Sequence, residues 1–241
     1  MQTRSTEAAR GLLIAELVIG FAAVLLLASA AGRWLAAPKA FAVAATIGYL
    51  AMAALIAWWL PKGTALGPAN RVTLGRGVLV CLIAATLFDG AWLATQAHWL
   101  VGTAILALAA DGLDGWVARR TGSASAFGAR FDMELDAYLI LVLCLGVVAL
   151  GKAGAWVLAI GAMRYLLVAA MWPWRWLAMP LPESWRRKAI CVWQVASLVC
   201  ALSPWVMPQV AAPLLWSSLA LLGWSFAVDV RWLHRKARGR A

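Results

Sequence analysis

Residues 99–150 contain two apolar runs joined by a polar segment: WLVGTAILALAADGLDGWVARRTGSASAFGARFDMELDAYLILVLCLGVVAL. An apolar run of about 20 residues is long enough for an α-helix to cross the hydrocarbon core of a bilayer. A strand of a membrane β-barrel would instead show about ten residues of alternating polarity. The stretch therefore predicts two membrane helices connected by a short polar loop.

The whole chain has the same apolar character. Its 241 residues are 64% hydrophobic and 13% charged, and the mean hydropathy is +0.83. Soluble domains carry roughly 25% charged residues, so a water-soluble globule is excluded. Apolar runs fall near 11–31, 40–60, 77–97, 99–117, 131–150, 153–172, 188–207 and 211–230. We predict an all-α, polytopic membrane helix bundle with about eight transmembrane helices.

These runs divide the chain into three predicted segments. Residues 1–62 form two N-terminal transmembrane helices whose role the sequence does not indicate, residues 63–230 form a six-helix core, and residues 231–241 form a basic tail.

The formal charge of +11 is distributed unevenly between the two sides of the predicted membrane helices. Seventeen of the 21 Lys and Arg residues fall on one side, and the positive-inside rule makes that side cytoplasmic, together with both termini. This asymmetry explains the basic charge, so we expect no nucleic-acid partner. The expected location is the inner (plasma) membrane of a bacterium.

Cysteine and histidine chemistry is disfavoured by composition. The four cysteines lie inside apolar runs without a C-x-x-C pair, which argues against a disulfide framework or a zinc site. The sequence contains only two histidines, His98 and His234, which disfavours a histidine metal site and a Ser-His-Asp triad. Chemistry is therefore expected from carboxylates.

Half of the ten acidic residues lie in or beside the polar segment between the two runs. Asp111 and Asp114, three positions apart, share a face near the end of the first helix, and Asp132 and Asp136, four apart, share a face at the start of the second. A hairpin would bring these four carboxylates together, while Glu134 would point roughly to the opposite side.

Four clustered carboxylates cannot all stay ionised without compensating positive charge. No side-chain cation stands at a sequence spacing that would pair each of them, so we predict one or two divalent cations. Oxygen-only ligands favour Mg²⁺, Mn²⁺ or Ca²⁺ over zinc.

The four aspartates belong to a longer ordered pattern. From Asp111 to Asp136 the chain reads D-x-x-D-G-x-x-A-R, eight residues, then G-x-x-x-D-x-x-x-D. This resembles the signature of the CDP-alcohol phosphotransferase (CDP-alcohol phosphatidyltransferase) family, with every fixed position present. Upstream, PANRVTLGR resembles the family's P-N-x-x-T-x-x-R run through Pro68, Asn70, Thr73 and Arg76. The match covers roughly 68–230 and leaves out the first two apolar runs.

Downstream of the signature, the sequence departs from the family pattern at two positions. Tyr165 follows Arg164 where many members have an acidic residue, and Arg187 replaces the glycine of a G-K pair that Lys188 completes. An arginine within a membrane helix is costly and favours a functional role for Arg164. For residues 186–188, acceptor binding and an ordinary positive-inside loop remain equally open.

The resemblance implies an integral membrane enzyme of phospholipid synthesis that transfers a substituted phosphate from a CDP-linked donor to an alcohol and releases CMP. It implies two divalent cations, Mg²⁺ or Mn²⁺, at the cytoplasmic face, and a homodimer, as relatives often are. The implied metal ligands are Asp111, Asp114, Asp132 and Asp136, with Asp132 and Asp136 catalytic and Asp136 the general base. The implied nucleotide-binding residues are Asn70, Thr73, Asp111, Asp114, Gly115, Ala118, Arg119 and Gly128. The expected acceptor-binding residues are Arg164, Arg186, Arg187 and Lys188.

The donor that the resemblance implies is CDP-diacylglycerol, and the favoured acceptor is a phosphorylated polyol such as glycerol 3-phosphate or inositol phosphate. Another CDP-alcohol donor, or serine or phosphatidylglycerol as acceptor, remains open. A secondary transporter is disfavoured because transporters usually hold such carboxylates near the midplane of repeated halves, and no repeat is visible here.

Overall fold

The computed structural model describes residues 2–123, 125–182 and 184–239. Arg240 and Ala241, at the end of the predicted basic tail, lie outside the described residues. Within those ranges the regular structure is helical and contains no strand, so the predicted all-α class is confirmed.

The described part of the chain contains nine α-helices and three short 3₁₀ turns. The helices are α1 (Gln2–Trp34), α2 (Lys39–Trp59), α3 (Pro68–Ala85), α4 (Gly90–Thr95), α5 (Ala97–Thr121), α6 (Ala126–Ala149), α7 (Leu158–Ala170), α8 (Trp185–Leu202) and α9 (Pro208–Ala237). The 3₁₀ turns are Thr86–Phe88, Ala155–Val157 and Arg175–Ala178.

Five helical segments are long and apolar enough to cross a membrane, which supports the predicted polytopic architecture. They are Glu7–Trp34, Lys39–Trp59, Pro68–Phe88, Ala97–Thr121 and Pro208–Ala237, counted over the described residues. The 13 residues of α7 would span only about 20 Å as a helix, less than a hydrocarbon core of about 30 Å. The number of eight transmembrane helices stays a prediction.

The apolar run at 77–97 is not one continuous helix. It is interrupted by the 3₁₀ turn that follows α3 and by Asp89, whose backbone is extended at φ −140°. The Asp89 carboxylate accepts a hydrogen bond from the Trp92 backbone N–H at 2.9 Å and so caps the short helix α4. A local side-chain cap has therefore replaced helix continuation at this position.

The loop between α5 and α6 is shorter than the polar composition suggested. Helix α5 continues through Arg119 and Arg120 to Thr121, and Gly122 follows it with a left-handed φ of +62°. Glycine adopts this conformation without the steric cost of a Cβ, which makes it a common helix terminator. Helix α6 then begins at Ala126, so Gly128 is helical.

The chain forms two compact units, and the boundary between Asp136 and Ala137 falls within α6. In the first unit, α3 packs against α1, α2 and α5, which makes it the central helix there. In the second unit, α8 and α7 pack on α9. Within that unit, Trp156 and Trp216 stack with their ring centroids 4.0 Å apart. The three predicted segments remain a prediction.

Candidate active site

Helix α3 presents a polar face made of Asn70, Thr73 and Arg76. These residues stand three apart, so they follow one side of the helix. All three are buried, with relative exposures of 6%, 3% and 1%. The helix begins at Pro68, where the missing proline N–H costs nothing because the first helical turn has no intrahelical partner for it.

The Arg76 guanidinium contacts all four signature aspartates. Its Nη1 pairs with Asp111 and lies 3.3 Å from Asp114 Oδ2. Its Nη2 lies 2.7 Å from a carboxylate oxygen of Asp132 and 2.7 Å from one of Asp136. The hairpin of α5 and α6 therefore brings the four carboxylates together around one buried cation.

The expectation that no side-chain cation pairs these carboxylates is wrong. Arg76 does so from α3, and it is separated by 35 residues from Asp111 and by 60 from Asp136. The spacing rules for α5 and α6 cannot reveal a partner on a third helix. The family resemblance includes Arg76 in the upstream run but gives it no role. The sequence signal for its place in the site is the three-residue spacing of Asn70, Thr73 and Arg76, which puts them on one side of a helix.

One guanidinium does not balance four carboxylates, so three formal negative charges remain in this group. Carboxylate oxygens of Asp111, Asp114 and Asp132 lie within 4.8 Å of one another, close enough to ligate one metal ion. Asp132 Oδ1 is buried, and Arg76 Nη2 lies 2.7 Å from it. The oxygen-only donor set and the excess negative charge both fit Mg²⁺ or Mn²⁺.

The carboxylates differ in their access to solvent. The side chain of Asp114 is 8% exposed, and its Oδ2 accepts a hydrogen bond from Thr73 Oγ1 at 3.0 Å. The other three side chains are 37–44% exposed. Asp114 is thus the buried member of the group, held by Thr73, while the other three carboxylates are partly exposed.

A cavity of about 150 Å³ lies beside this cluster. It is lined by seven of the residues expected to bind nucleotide or metal, namely Asn70, Thr73, Asp114, Gly115, Ala118, Gly128 and Asp132. Ser123 and Ser125 also line it, and the sequence analysis did not select them. Serines in a polar loop are too common to be recognised without the fold.

The lack of a side chain matters for different reasons at the two signature glycines. A Cβ on Gly128 would collide with the amide oxygen of Asn70 and lie 3.0 Å from Ser125 Oγ, so the start of α6 approaches α3 closely at this point. A Cβ on Gly115 would meet only Arg119 Nη1, at 3.5 Å. Gly115 therefore keeps the cavity open rather than relieving a crowded contact, and Arg119 lies next to it.

A family model for CDP-alcohol phosphatidyltransferase matches residues 66–224, about two thirds of the chain. The chain belongs to the CDP-alcohol phosphatidyltransferase family. The match begins just before α3 and ends in α9, so it contains all four aspartates and excludes α1 and α2. No solved structure matched the chain.

Membership of the CDP-alcohol phosphatidyltransferase family makes the protein a transferase of phospholipid biosynthesis that acts on a CDP-alcohol in a membrane. The predicted resemblance and enzyme class are confirmed. The aspartate cluster supplies a site that could bind the divalent metal used in this family.

The four residues expected to bind the acceptor lie in the second compact unit. Arg186 Nη1 donates to the carbonyl and the hydroxyl of Ser225, both at 2.7 Å, and its Nη2 donates to Asp229. Arg187 lies 3.3 Å from the same Asp229 oxygen. Asp229, which the sequence analysis did not select, is therefore the common partner of both arginines.

The other two basic residues are placed differently within this unit. Arg164 is half-buried in α7. The Lys188 ammonium lies 5.5 Å from the centre of the Trp185 ring, at the start of α8, in cation–π geometry.

Proposed function

We propose that the protein transfers a phosphatidyl group from CDP-diacylglycerol to a hydroxyl of a phosphorylated polyol, such as glycerol 3-phosphate or inositol phosphate, and releases CMP. The main support is the meeting of four signature aspartates beside a cavity lined by Asn70 and Thr73. We further propose that the active site faces the cytoplasm of a bacterial inner membrane and that the enzyme is a homodimer.

Asp111, Asp114, Asp132 and Asp136 would hold two divalent cations, Mg²⁺ or Mn²⁺, which would neutralise charge on the diphosphate and on the departing CMP. Asn70, Thr73, Gly115, Ala118 and Gly128 would form the nucleotide pocket, because they line the cavity beside the carboxylates. Arg119, next to Gly115, would support the phosphates.

Asp136 would accept the proton of the acceptor hydroxyl. Its side chain is 38% exposed and lies one helical turn after Asp132. As the hydroxyl oxygen forms a bond to the lipid-linked phosphorus, the bond from that phosphorus to the bridging oxygen breaks, and CMP leaves with the electron pair. The proton passes to the Asp136 carboxylate, as in general base catalysis.

Arg164, Arg186, Arg187 and Lys188 would bind the anionic group of the acceptor. The support for this is charge: one carboxylate, Asp229, faces both Arg186 and Arg187, which leaves a positive excess. Guanidinium groups match the geometry of phosphate oxygens well. A phosphorylated acceptor fits this arrangement better than a neutral one.

The deciding experiment measures CMP release by the purified protein with CDP-diacylglycerol and Mg²⁺ or Mn²⁺. Glycerol 3-phosphate, inositol phosphate, serine and phosphatidylglycerol are compared as acceptors. We expect release that requires a metal and a phosphorylated polyol. Release with serine or phosphatidylglycerol would keep the reaction and change the acceptor, whereas neither release nor binding of CDP-diacylglycerol would contradict the proposal.

Asp136→Asn should abolish turnover, by about 10²–10⁴-fold or more, because the amide cannot accept the proton. The variant should still fold and bind CMP. Glu134→Gln is the matched control, since it neutralises a carboxylate two residues away on the same helix, and it should retain activity. Substantial activity in Asp136→Asn would remove Asp136 as the base.

A further inference from the structure

Helices α1 and α2, which we call the N-terminal hairpin, lie outside the family match, and no motif gives them a role. Both nevertheless pack directly against α3, the helix that carries Asn70, Thr73 and Arg76. The contact is part of one buried apolar cluster that includes residues of α1, α2 and α3. The N-terminal hairpin is therefore in direct contact with a helix of the candidate active site.

Helix α3 makes two sets of contacts through adjacent faces. Asn70, Thr73 and Arg76 face the carboxylates and the cavity. The buried cluster shared with the N-terminal hairpin contains Leu74, Val78, Cys81, Leu82 and Ala85 of α3. Any rotation or sliding of α3 against the N-terminal hairpin would therefore move the polar face relative to the aspartates.

Two close contacts join α1 to α2 and α2 to α3. Tyr49 of α2 donates a hydrogen bond to the Leu17 carbonyl of α1 at 2.7 Å, and a Cβ on Gly20 would collide with its hydroxyl. Met52 of α2 lies against Gly77, where a Cβ would come within 2.5 Å of its sulfur. Gly77 directly follows Arg76, so this contact supports α3 beside the buried guanidinium.

A polar contact fixes the other end of α3. Glu16 of α1, whose side chain is only 9% exposed, accepts a hydrogen bond from Arg71 Nε at 2.7 Å. Arg71 directly follows Asn70 in the upstream run. A carboxylate inside a membrane helix is costly, and lipid removes most of the hydrophobic drive for helix packing, so such a polar pair can specify register.

We propose that the N-terminal hairpin is a positioning element of the active site and that Glu16, through Arg71, is a positioning residue for the nucleotide pocket. This inference rests on the proposed function. Glu16 touches no reacting group; it holds α3 in the register that points Asn70 and Thr73 into the cavity. Displacements of about 1 Å at such positions can cost up to 10²-fold in binding and rate.

The test compares Glu16→Gln with the matched control Glu7→Gln, an exposed carboxylate on the same helix. Binding of CMP in the presence of Mn²⁺, the unfolding temperature, and KM and kcat for CDP-diacylglycerol are measured for each full-length protein. For Glu16→Gln we expect CMP affinity to fall and KM to rise by about tenfold, with kcat changed less than threefold. Glu7→Gln should match the wild type.

A double-mutant cycle identifies the route of the effect. If Glu16 acts through Arg71, Arg71→Gln should weaken CMP binding to a similar degree, and the double variant should be no worse than either single variant. If Glu16→Gln does not fold, Arg71→Lys, which keeps the charge but lacks the Nε–H, replaces it and should weaken CMP binding about threefold.

The outcomes separate this inference from the proposed function. A wild-type protein that binds neither CMP nor CDP-diacylglycerol would contradict the proposed function. A wild type that binds CMP, together with variants whose CMP affinity and KM stay within twofold of it, would overturn the inference. A lower unfolding temperature without any change in CMP affinity would also overturn it, because it would indicate a purely structural role.

Discussion

In the first compact unit one guanidinium contacts four carboxylates, whereas in the second unit one carboxylate contacts two guanidinium groups. Both are networks of charges within a membrane protein, but their excess charge has opposite sign. The Arg76 cluster retains negative charge and suits cations, while the Asp229 cluster retains positive charge and suits an anion. The first unit thus carries a cluster that could bind a metal ion, and the second unit carries a cluster with excess positive charge.

The central residues of the two clusters also differ in burial. The Arg76 side chain is 1% exposed, whereas the Asp229 side chain is 15% exposed. Solvent screens an exposed pair more strongly than a buried one. Removing the central charge should therefore cost more in the first cluster than in the second.

The largest effect is expected for Arg76→Gln. Without the guanidinium, four neighbouring carboxylates repel one another, and the free energy of unfolding of the metal-free protein should fall by about 3 kcal/mol, near the lower end for broken buried pairs. Mn²⁺ should recover much of this loss because it replaces the missing positive charge. The measurement is the unfolding temperature in detergent with EDTA and with Mn²⁺.

Arg76→Lys sharpens this result. A single ammonium keeps the charge but cannot contact four carboxylates through two separate nitrogen atoms. The stability of the Arg76→Lys variant should therefore lie between that of the wild type and that of Arg76→Gln.

An equal loss of stability in EDTA and in Mn²⁺ for Arg76→Gln would show that the residue contributes packing rather than charge balance.

Asp229→Asn makes the corresponding change in the second cluster, and the expected effect is smaller. Arg186 keeps its hydrogen bonds to the Ser225 carbonyl and hydroxyl, and both arginines have access to solvent. We expect a loss of about 1 kcal/mol in the free energy of unfolding. This loss should be the same in EDTA and in Mn²⁺, and a loss that Mn²⁺ recovers, as expected for Arg76→Gln, would contradict the contrast between the clusters.

Arg187→Gln tests the anion-binding half of the contrast. Arg187 shares Asp229 with Arg186 and also donates to the Pro182 carbonyl, and its side chain is the more exposed of the two arginines, at 31% against 21%. Its loss should raise KM for a phosphorylated acceptor about fivefold through one charge-assisted hydrogen bond, with KM for CDP-diacylglycerol unchanged. Equal changes in both KM values would contradict an acceptor-specific role.

Much of the first cluster was predictable because its determinants are local. The spacing of Asp111 with Asp114, and of Asp132 with Asp136, places each pair on one helical face, and one short loop joins the two helices. The break at Asp89 was missed because a single side-chain cap interrupts a run whose hydropathy is continuous. Asp229 was missed because it pairs with Arg186 across 43 residues.

The sequence by itself determined the helical membrane class, the family signature and the convergence of four aspartates, since hydropathy and helical periodicity are properties of neighbouring residues. Only the tertiary structure placed Arg76 among those aspartates and Glu16 against Arg71. Both contacts join helices that are far apart in the chain, and no local pattern specifies which side chains of two distant helices will meet. Packing makes that choice, because each buried charge is stable only where an opposite charge is within reach.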